Sequence, residues 1–408
     1  MFSVILWHTI GALFILAAGS AVSWHTLYFW KPGLELVPGF YDGLLFLSSI
    51  VAAHAASALC ARSVMKLPRC GRMTGVILSA SLCYSISMLF LFMLRAYYSR
   101  PFLLLSYALS VAWIYAGLRV FFSFGKLRYG FLPGADIREL EEEWRNNFVK
   151  ISSPDSAERF DVLVVLPYYG KKLSDEWTRY ITNMMIQGVP MTHPGSVYEF
   201  FTGRLPIEYM SDGPGVLLSP SLGYLYVKRV MDWLVLLICI APAVVCMSVV
   251  AAVLAYSSGR PVLFIQERNG KNGVPFKMYK FRSMTETGEI TKAGGFLRKY
   301  RLDELPQILN VAKGEMSFIG PRPEVPELAR KYAEEIAFYP YRYSMPPGIT
   351  GWAQVNYGYA SVTSENRIKL GYDLYYVKHA SFALDMLILL KTARTMLSGA
   401  AGPAAGTG

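Results

Sequence analysis

Trp233 to Tyr256 reads WLVLLICIAPAVVCMSVVAAVLAY, an uncharged run with Pro242 in its first half. It is as long as the roughly 20 residues a helix needs to cross about 30 Å of hydrocarbon. The charges at its ends determine its topology. Lys228 and Arg229 precede it, and Arg260, Arg268 and Lys271 follow it, so the positive-inside bias keeps both ends in the cytoplasm. A helix that enters one leaflet, breaks at Pro242 and returns meets that demand, because proline removes a backbone N–H and its ring clashes with the preceding turn. A straight spanning helix would put Lys228 and Asp303 on opposite faces of the membrane. We therefore expect a re-entrant helix over residues 230–256. Asp232 should pair with Lys228 or Arg229, since an unpaired carboxylate at that depth is costly.

Four more uncharged runs lie upstream: Met1 to Trp30, Gly43 to Ala61, Met73 to Leu94 and Pro101 to Leu118. Each approaches the length of a spanning helix, and the first lacks the basic n-region and compact apolar core of a signal peptide. The loop between the second and third runs carries Arg62, Lys66, Arg69 and Arg72 with no acid, and the exit from the fourth carries Arg119, Lys126 and Arg128. Those sides are expected to be cytoplasmic, which leaves the N-terminus and everything after residue 120 inside. The composition agrees, because 53% hydrophobic with 17% charged residues among 408 is too apolar for an ordinary soluble enzyme. Four cysteines (Cys60, Cys83, Cys239, Cys246) lie in or beside apolar runs and Cys70 lies in an inside loop, without metal or disulfide spacing.

Residues 123–223 form a polar linker domain on this reading. Ile137 to Trp144 has helical charge density, Val162 to Leu166 a short buried-strand pattern, and Asp175 to Gln187 an amphipathic helical one. The segment has no glycine-rich phosphate loop, so a spacer or oligomerisation role is expected rather than chemistry.

Downstream of the Pro242 run the chain becomes basic and specific. After a glycine-punctuated turn, Gln266 to Gly273, comes Phe276-Lys277-Met278-Tyr279-Lys280-Phe281-Arg282. As a strand, its period of two sets Lys280 and Arg282 on one face. Then comes LRKYRLDELPQILNVAKGEMSFIGPRP, Leu297 to Pro323, which places Asp303 and Glu304 between two basic patches. Adjacent carboxylates among arginines suit phosphate chemistry: one attacks or takes a proton, its neighbour holds a divalent metal, and arginines clamp anionic oxygens bidentately. Taken alone, an Asp-Glu pair is more often a solvated turn.

The basic segment ending at Arg282, LDELPQ, GPRP and Pro346-Pro347-Gly348-Ile349-Thr350-Gly351-Trp352-Ala353-Gln354-Val355, in this order after an apolar anchor, resemble the bacterial sugar transferase family. These are polyprenyl-phosphate phosphoglycosyl transferases with a monotopic-type core. The resemblance covers about residues 224–398, and the four-helix N-terminus with its linker is similar to the larger, polytopic branch. It implies transfer of a sugar 1-phosphate from a nucleoside-diphosphate sugar, expected to be a UDP-sugar, to undecaprenyl phosphate. UMP is released, and exopolysaccharide or related glycan assembly begins. It also implies Mg²⁺ and a covalent aspartyl phosphosugar. By the same resemblance Asp303 is the nucleophile, Glu304 the metal-holding partner, and Arg298 and Arg322 phosphate-binding arginines. Lys280, Arg282 and Gln307 fall in matched blocks. Lys228, Arg229 and Asp232 match the start of the re-entrant helix, and Ala241-Pro242 its helix-breaking pair.

The chain departs from the family after Asn356, where Tyr357-Gly358-Tyr359 stands in place of a glycine-arginine pair, so no sugar is assigned. Gly371 to Tyr376 and the apolar stretch Phe382 to Leu397 resemble the family's interfacial C-terminal end, with core packing as the equal alternative. His379 is expected to be a packing residue. The expected architecture is thus an α-helical membrane protein with α/β cytoplasmic parts. Four transmembrane helices occupy residues 1–122, the linker 123–223, the catalytic domain 224–398 and a tail 399–408. Its place is the bacterial inner membrane, with the catalytic domain facing the cytoplasm and a homodimer left open. The net charge of +11 suits anionic lipid headgroups and nucleotides, and no nucleic-acid-binding module is visible. Fully polytopic transferases with aspartate-rich loops fit poorly, because the chain has no Asp-Asp pair. A non-enzymatic component of a polysaccharide export complex is the remaining rival, and it would leave Asp303, Glu304 and Arg322 dispensable.

Overall fold

The computed structural model describes residues 6–18, 40–64, 68, 72–95, 99–121, 127–133, 146–154, 158–165, 174–207, 222–285, 287–336, 338–357 and 363–397. It divides into two compact units, Met1–Thr202 and Gly203–Gly408.

The first unit opens with helices α1 (Leu6–Ala18), α2 (Phe40–Val64), α3 (Arg72–Met93) and α4 (Arg100–Phe121). The last three are long and apolar enough to cross a membrane, while the described part of the first run is shorter. Small residues let α2, α3 and α4 approach closely: Ala58, Ala61 and Ala80 pack with Val76, Val111 and Ile114. Leu59, Phe92 and Leu104 point outward, as lipid-facing side chains do. Inside, Tyr84 Oη lies 2.7 Å from Ser110 Oγ and His54 Nδ1 3.0 Å from the same hydroxyl.

A small sheet follows, made of β1 (Tyr129–Phe131), β2 (Phe148–Lys150), β3 (Val162–Val164) and β4 (Met191–Thr192). Its order is β2-β1-β3-β4 and every pairing is parallel. Helix α5 (Asp175–Ile186) begins at Ser174, whose side chain accepts from Trp177 N, with Asp175 and Glu176 in its first turn. Helix α6 (Pro194–Thr202) completes the unit. The strand expected from Val162 and the helix expected from Asp175 are both present. The helix expected over Ile137 to Trp144 lies outside the described residues. Strands of two to three residues carry too little period to reveal a parallel sheet in the sequence.

The second unit is built on α7 (Leu222–Ser258), a single helix of 37 residues with Pro242 inside it. The expected break at Pro242 is not there. A proline deletes one i→i−4 hydrogen bond, and α7 carries on through it. The helix is held along its length by its own domain. Leu236 and Ala243 pack with Ile308 and Leu305, and Val250 and Leu254 pack with Phe281, Leu297 and Leu302. Its remaining face exposes Leu237, Ile238 and Val245.

The chain then forms the antiparallel hairpin β5 (Leu263–Asn269) and β6 (Pro275–Phe281), with Leu263 opposite Phe281. Helix α8 (Lys292–Lys299), a 3₁₀ segment at Leu302–Gln307 and α9 (Ile308–Lys313) follow. Next come β7 (Ser317–Ile319), α10 (Pro326–Glu335), β8 (Gly348–Thr350) paired parallel to β7, α11 (Trp352–Asn356), α12 (Thr363–His379) and α13 (Phe382–Leu397). Tyr372, Leu374, Tyr375, Tyr376 and Val377 are buried in α12, as are Leu384, Leu387 and Ile388 in α13. Both C-terminal segments therefore serve the core, and the His379 ring packs tilted against Tyr375, centroids 4.4 Å apart.

Candidate active site

The sequence Leu302-Asp303-Glu304-Leu305 explains the placement of the two carboxylates. In a tight 3₁₀ turn the flanking leucines both dock on α7, Leu302 beside Val250 and Leu254 and Leu305 beside Leu236 and Ala243. Burying those leucines anchors the segment, and the acids between them face cations from other elements. The turn is entered through Arg301 in the left-handed region, φ +53°, a conformation that costs a non-glycine residue about 1 kcal/mol or more. That turn brings the Arg301 guanidinium back onto Glu304.

Glu304 sits within a ring of three cations. Arg322 Nη2 lies 2.8 Å and Lys280 Nζ 3.4 Å from its Oε1, and Arg301 Nη1 lies 3.7 Å from its Oε2. Burial would raise its carboxyl, but Arg322, Lys280 and Arg301 overcome that and hold it at about 2. It is therefore ionised at any physiological pH. Asp303 behaves oppositely. It is half-buried, and burial followed by the charge of Glu304 raises its carboxyl, against the opposing fields of Lys280, Arg298 and Arg322. Adjacent acids with pKa values pushed apart have separate jobs: one is a fixed charge, the other a more basic and approachable carboxylate. Lys280 is lowered to about 8 by burial and by Arg322, with Glu304 and Asp303 opposing.

Glu304 Oε2 is buried and accepts no hydrogen bond. A carboxylate oxygen of this kind fits Mg²⁺, which binds through one or two carboxylates together with substrate phosphates. Among the described residues no cluster of three His, Cys, Asp or Glu could hold a metal without such help.

Of the other expected residues, Arg322 and Lys280 join the site directly, and Arg298 does so through its field on Asp303. Gln307 is buried at the end of the 3₁₀ segment. Arg282 is directed elsewhere, its Nη2 donating to the Gly259 carbonyl at 2.8 Å just past α7. Lys280 and Arg282 are thus two residues apart but serve different neighbours.

The anchoring residues require a correction. Asp232 does not pair with Lys228 or Arg229; it accepts from Ser317 Oγ at 2.9 Å and Phe318 N at 3.2 Å, tying α7 to β7. Lys228 instead bridges to Asp385 at 2.8 Å, both side chains at most 4% exposed. Tyr224 and Tyr376 hydroxyls, each at 2.7 Å, also donate to that carboxylate. Arg229 donates to the Val311 carbonyl at 3.1 Å and lies over Trp233. The Asp385 carboxylate, 157 residues away and buried with two tyrosine hydroxyls on it, takes Lys228 from an i,i+4 partner worth a few tenths of a kcal/mol.

Sequence reasoning also passed over Arg301, although it stands three residues before Glu304 in the same basic patch. Arg342, buried against Asp373 at 2.7 Å and donating to the Arg322 carbonyl at 2.9 Å, left no local signal at all.

The family model described as bacterial sugar transferase matches residues 223–399. A UDP-N-acetylgalactosamine-undecaprenyl-phosphate N-acetylgalactosaminephosphotransferase of Aeromonas hydrophila is 38% identical over 331 residues, covering 76% of this chain and 76% of that protein. An uncharacterized sugar transferase of Bacillus subtilis is 39% identical over 183 residues, 42% of this chain and 87% of the relative. The UDP-glucose:undecaprenyl-phosphate glucose-1-phosphate transferase of Escherichia coli is 37% identical over 172 residues, 38% of this chain and 36% of the relative.

Proposed function

The chain belongs to the bacterial sugar transferase family, and from that premise we propose that it moves a sugar 1-phosphate from a UDP-sugar to undecaprenyl phosphate through an aspartyl intermediate. The observation that carries this reading is the pairing of a half-buried, basic Asp303 with a permanently ionised Glu304. Both stand among Lys280, Arg301 and Arg322 on a segment docked to the apolar helix α7. Such a site gathers two anions, one soluble and one held at a membrane surface, which on this reading is the cytoplasmic face.

A carboxylate oxygen of Asp303 attacks the β-phosphorus of the donor. The bond from that phosphorus to the bridging oxygen breaks, and its electron pair leaves with UMP. A phosphate oxygen of undecaprenyl phosphate then attacks the same phosphorus, the bond to Asp303 breaks, and the carboxylate is regenerated. No proton has to move in either displacement. Splitting the transfer means that donor and acceptor never occupy the site together. Arg322 and Lys280 neutralise the diphosphate as the leaving group gains charge, and Arg298 supports the field at Asp303. Mg²⁺ held by Glu304 and the diphosphate would add charge neutralisation at the phosphoryl oxygens. The product would begin an exopolysaccharide or related glycan.

The test is release of UMP from a panel of UDP-sugars, with UDP-N-acetylgalactosamine and UDP-glucose first because relatives act on them. Intact-mass measurement with donor but no lipid acceptor accompanies it. A phosphosugar adduct on the peptide holding Asp303 is expected. Turnover without any adduct, or kinetics requiring both substrates at once, would overturn the covalent route; absence of UMP release with every donor would favour the non-enzymatic reading.

A further inference from the structure

Arg322 works from a segment that cannot stabilise itself. In Gly320-Pro321-Arg322-Pro323 the two prolines fix φ but supply no N–H, so beyond Gly320 N, which donates to Thr350 O at 2.9 Å, the stretch has few backbone donors of its own. The four consecutive carbonyls from Pro321 to Glu324 are nonetheless all taken. Pro321 O accepts from Gly348 N at 2.9 Å, Arg322 O from Arg342 Nη2 at 2.9 Å, Pro323 O from Arg268 Nη1 at 3.2 Å, and Glu324 O from Asn269 N at 2.9 Å. Two of these four donors are side chains far away in sequence. Arg342 is the more committed of the two: the same Nη2 pairs with Asp373 at 2.7 Å, Nη1 donates to the Tyr339 hydroxyl, and the residue is 3% exposed. A fully buried guanidinium held by a carboxylate on α12 and a tyrosine on its own turn has one unusual duty left, the carbonyl of the arginine that reaches Glu304.

We propose that Arg342, fixed by Asp373, is a positioning residue for Arg322: it pins the backbone from which the Arg322 guanidinium meets the donor's diphosphate. The inference rests on the function proposed above. Arg342 touches neither substrate nor the reacting atoms and acts only through Arg322. A shift of about 1 Å in such a clamp is enough to cost on the order of 10²-fold in rate.

The test must separate positioning from folding. Removing one member of a buried ion pair strands the other, whereas replacing both by apolar residues of similar volume is often neutral. The variant of choice is therefore Arg342→Met combined with Asp373→Leu in the full chain, compared with Arg322→Ala and with all three changes together. The expected result is an unchanged thermal midpoint and a 10- to 100-fold fall in kcat/KM for the UDP-sugar. In the Arg322→Ala background the same pair of changes should cost less than about twofold, because a residue that acts through Arg322 has nothing left to position. An equal loss in both backgrounds would overturn the proposal. Amide exchange supplies a second arm that needs no turnover. The Gly348 and Asn269 amides, which donate to Pro321 O and Glu324 O, should exchange at least tenfold faster in the double variant while those of α12 do not, and unchanged exchange at 348 and 269 would refute the idea. If no donor is turned over by the parent protein, the proposed function fails, and the exchange arm still decides the role of Arg342.

Discussion

Helices α2, α3 and α4 and helix α7 share one hydropathic signature but solve the burial problem differently. The first three are 39% to 44% buried over their apolar windows, whereas α7 is 17% buried. In the bundle, polar side chains find hydroxyls and carbonyls of sister helices, as Tyr84 and His54 do around Ser110. In α7 the polar residues Lys228, Arg229 and Asp232 reach the catalytic domain instead, ending on Asp385, Val311 and the start of β7. One set of helices is a scaffold for itself; the other is the floor on which a polar site is built.

The sharpest way to break that comparison is labelling, where the expected effect is all or none. Cysteines placed just before Lys228 and just after Arg260 should both react only from the cytoplasmic side, because Lys228 and Leu254, near the two ends of α7, pack on the same unit; reaction of either from outside would make α7 a spanning helix. Next in size is Asp303→Asn, expected to lower turnover by about 10³-fold or more, whereas His54→Ala in the bundle should leave kcat intact. A comparable loss from both would mean that the scaffold takes part in chemistry. Glu304→Gln keeps shape and removes the charge a hard cation requires, so about 10²-fold loss and a weakened Mg²⁺ dependence are expected. Unchanged Mg²⁺ response would remove Glu304 from any metal site.

Smaller effects test the docking of α7. Lys228→Met strands Asp385 and should destabilise the second unit by about 3–5 kcal/mol, while Lys228→Met with Asp385→Leu should recover most of it; calorimetry of the two variants decides. The smallest effect is the alkaline limb of the pH profile. Lys280, lowered to about 8 from 10.5, loses its charge near pH 8 in the free enzyme, so kcat/KM should decline above that value and Lys280→Arg should move the decline upward. Between those two values the unfolded chain binds more protons at this residue than the folded one. Its contribution to stability therefore rises with pH, and the lost rate there reflects a missing phosphate-binding charge, not unfolding. Glu304 has the same sign in an acid window: its contribution is present above about 4.5 and fades as pH falls towards 2.

Much of this site was legible because it is local. Asp303 and Glu304 stand side by side between two basic patches, and Lys280 and Arg322, both singled out in the sequence, reach Glu304. The apolar runs declared themselves by length, since about 20 uncharged residues have few other uses. What stayed hidden were matters of partnership. Lys228 and Asp232 are spaced for an i,i+4 pair, yet each found a better partner more than 80 residues away. Pro242 spelled a break, but tertiary contacts on both sides of it keep α7 continuous.

The sequence by itself determined which segments avoid water, where the carboxylates and arginines of the site stand along the chain, and the family to which they belong. Tertiary structure alone decided that Lys280, Arg301 and Arg322 converge on one carboxylate, that Asp385 takes Lys228, and that Arg342 holds Arg322 from 20 residues downstream. Period and hydropathy are properties of neighbouring residues, whereas a buried charge is satisfied by whichever opposite charge the packed chain brings within about 3 Å.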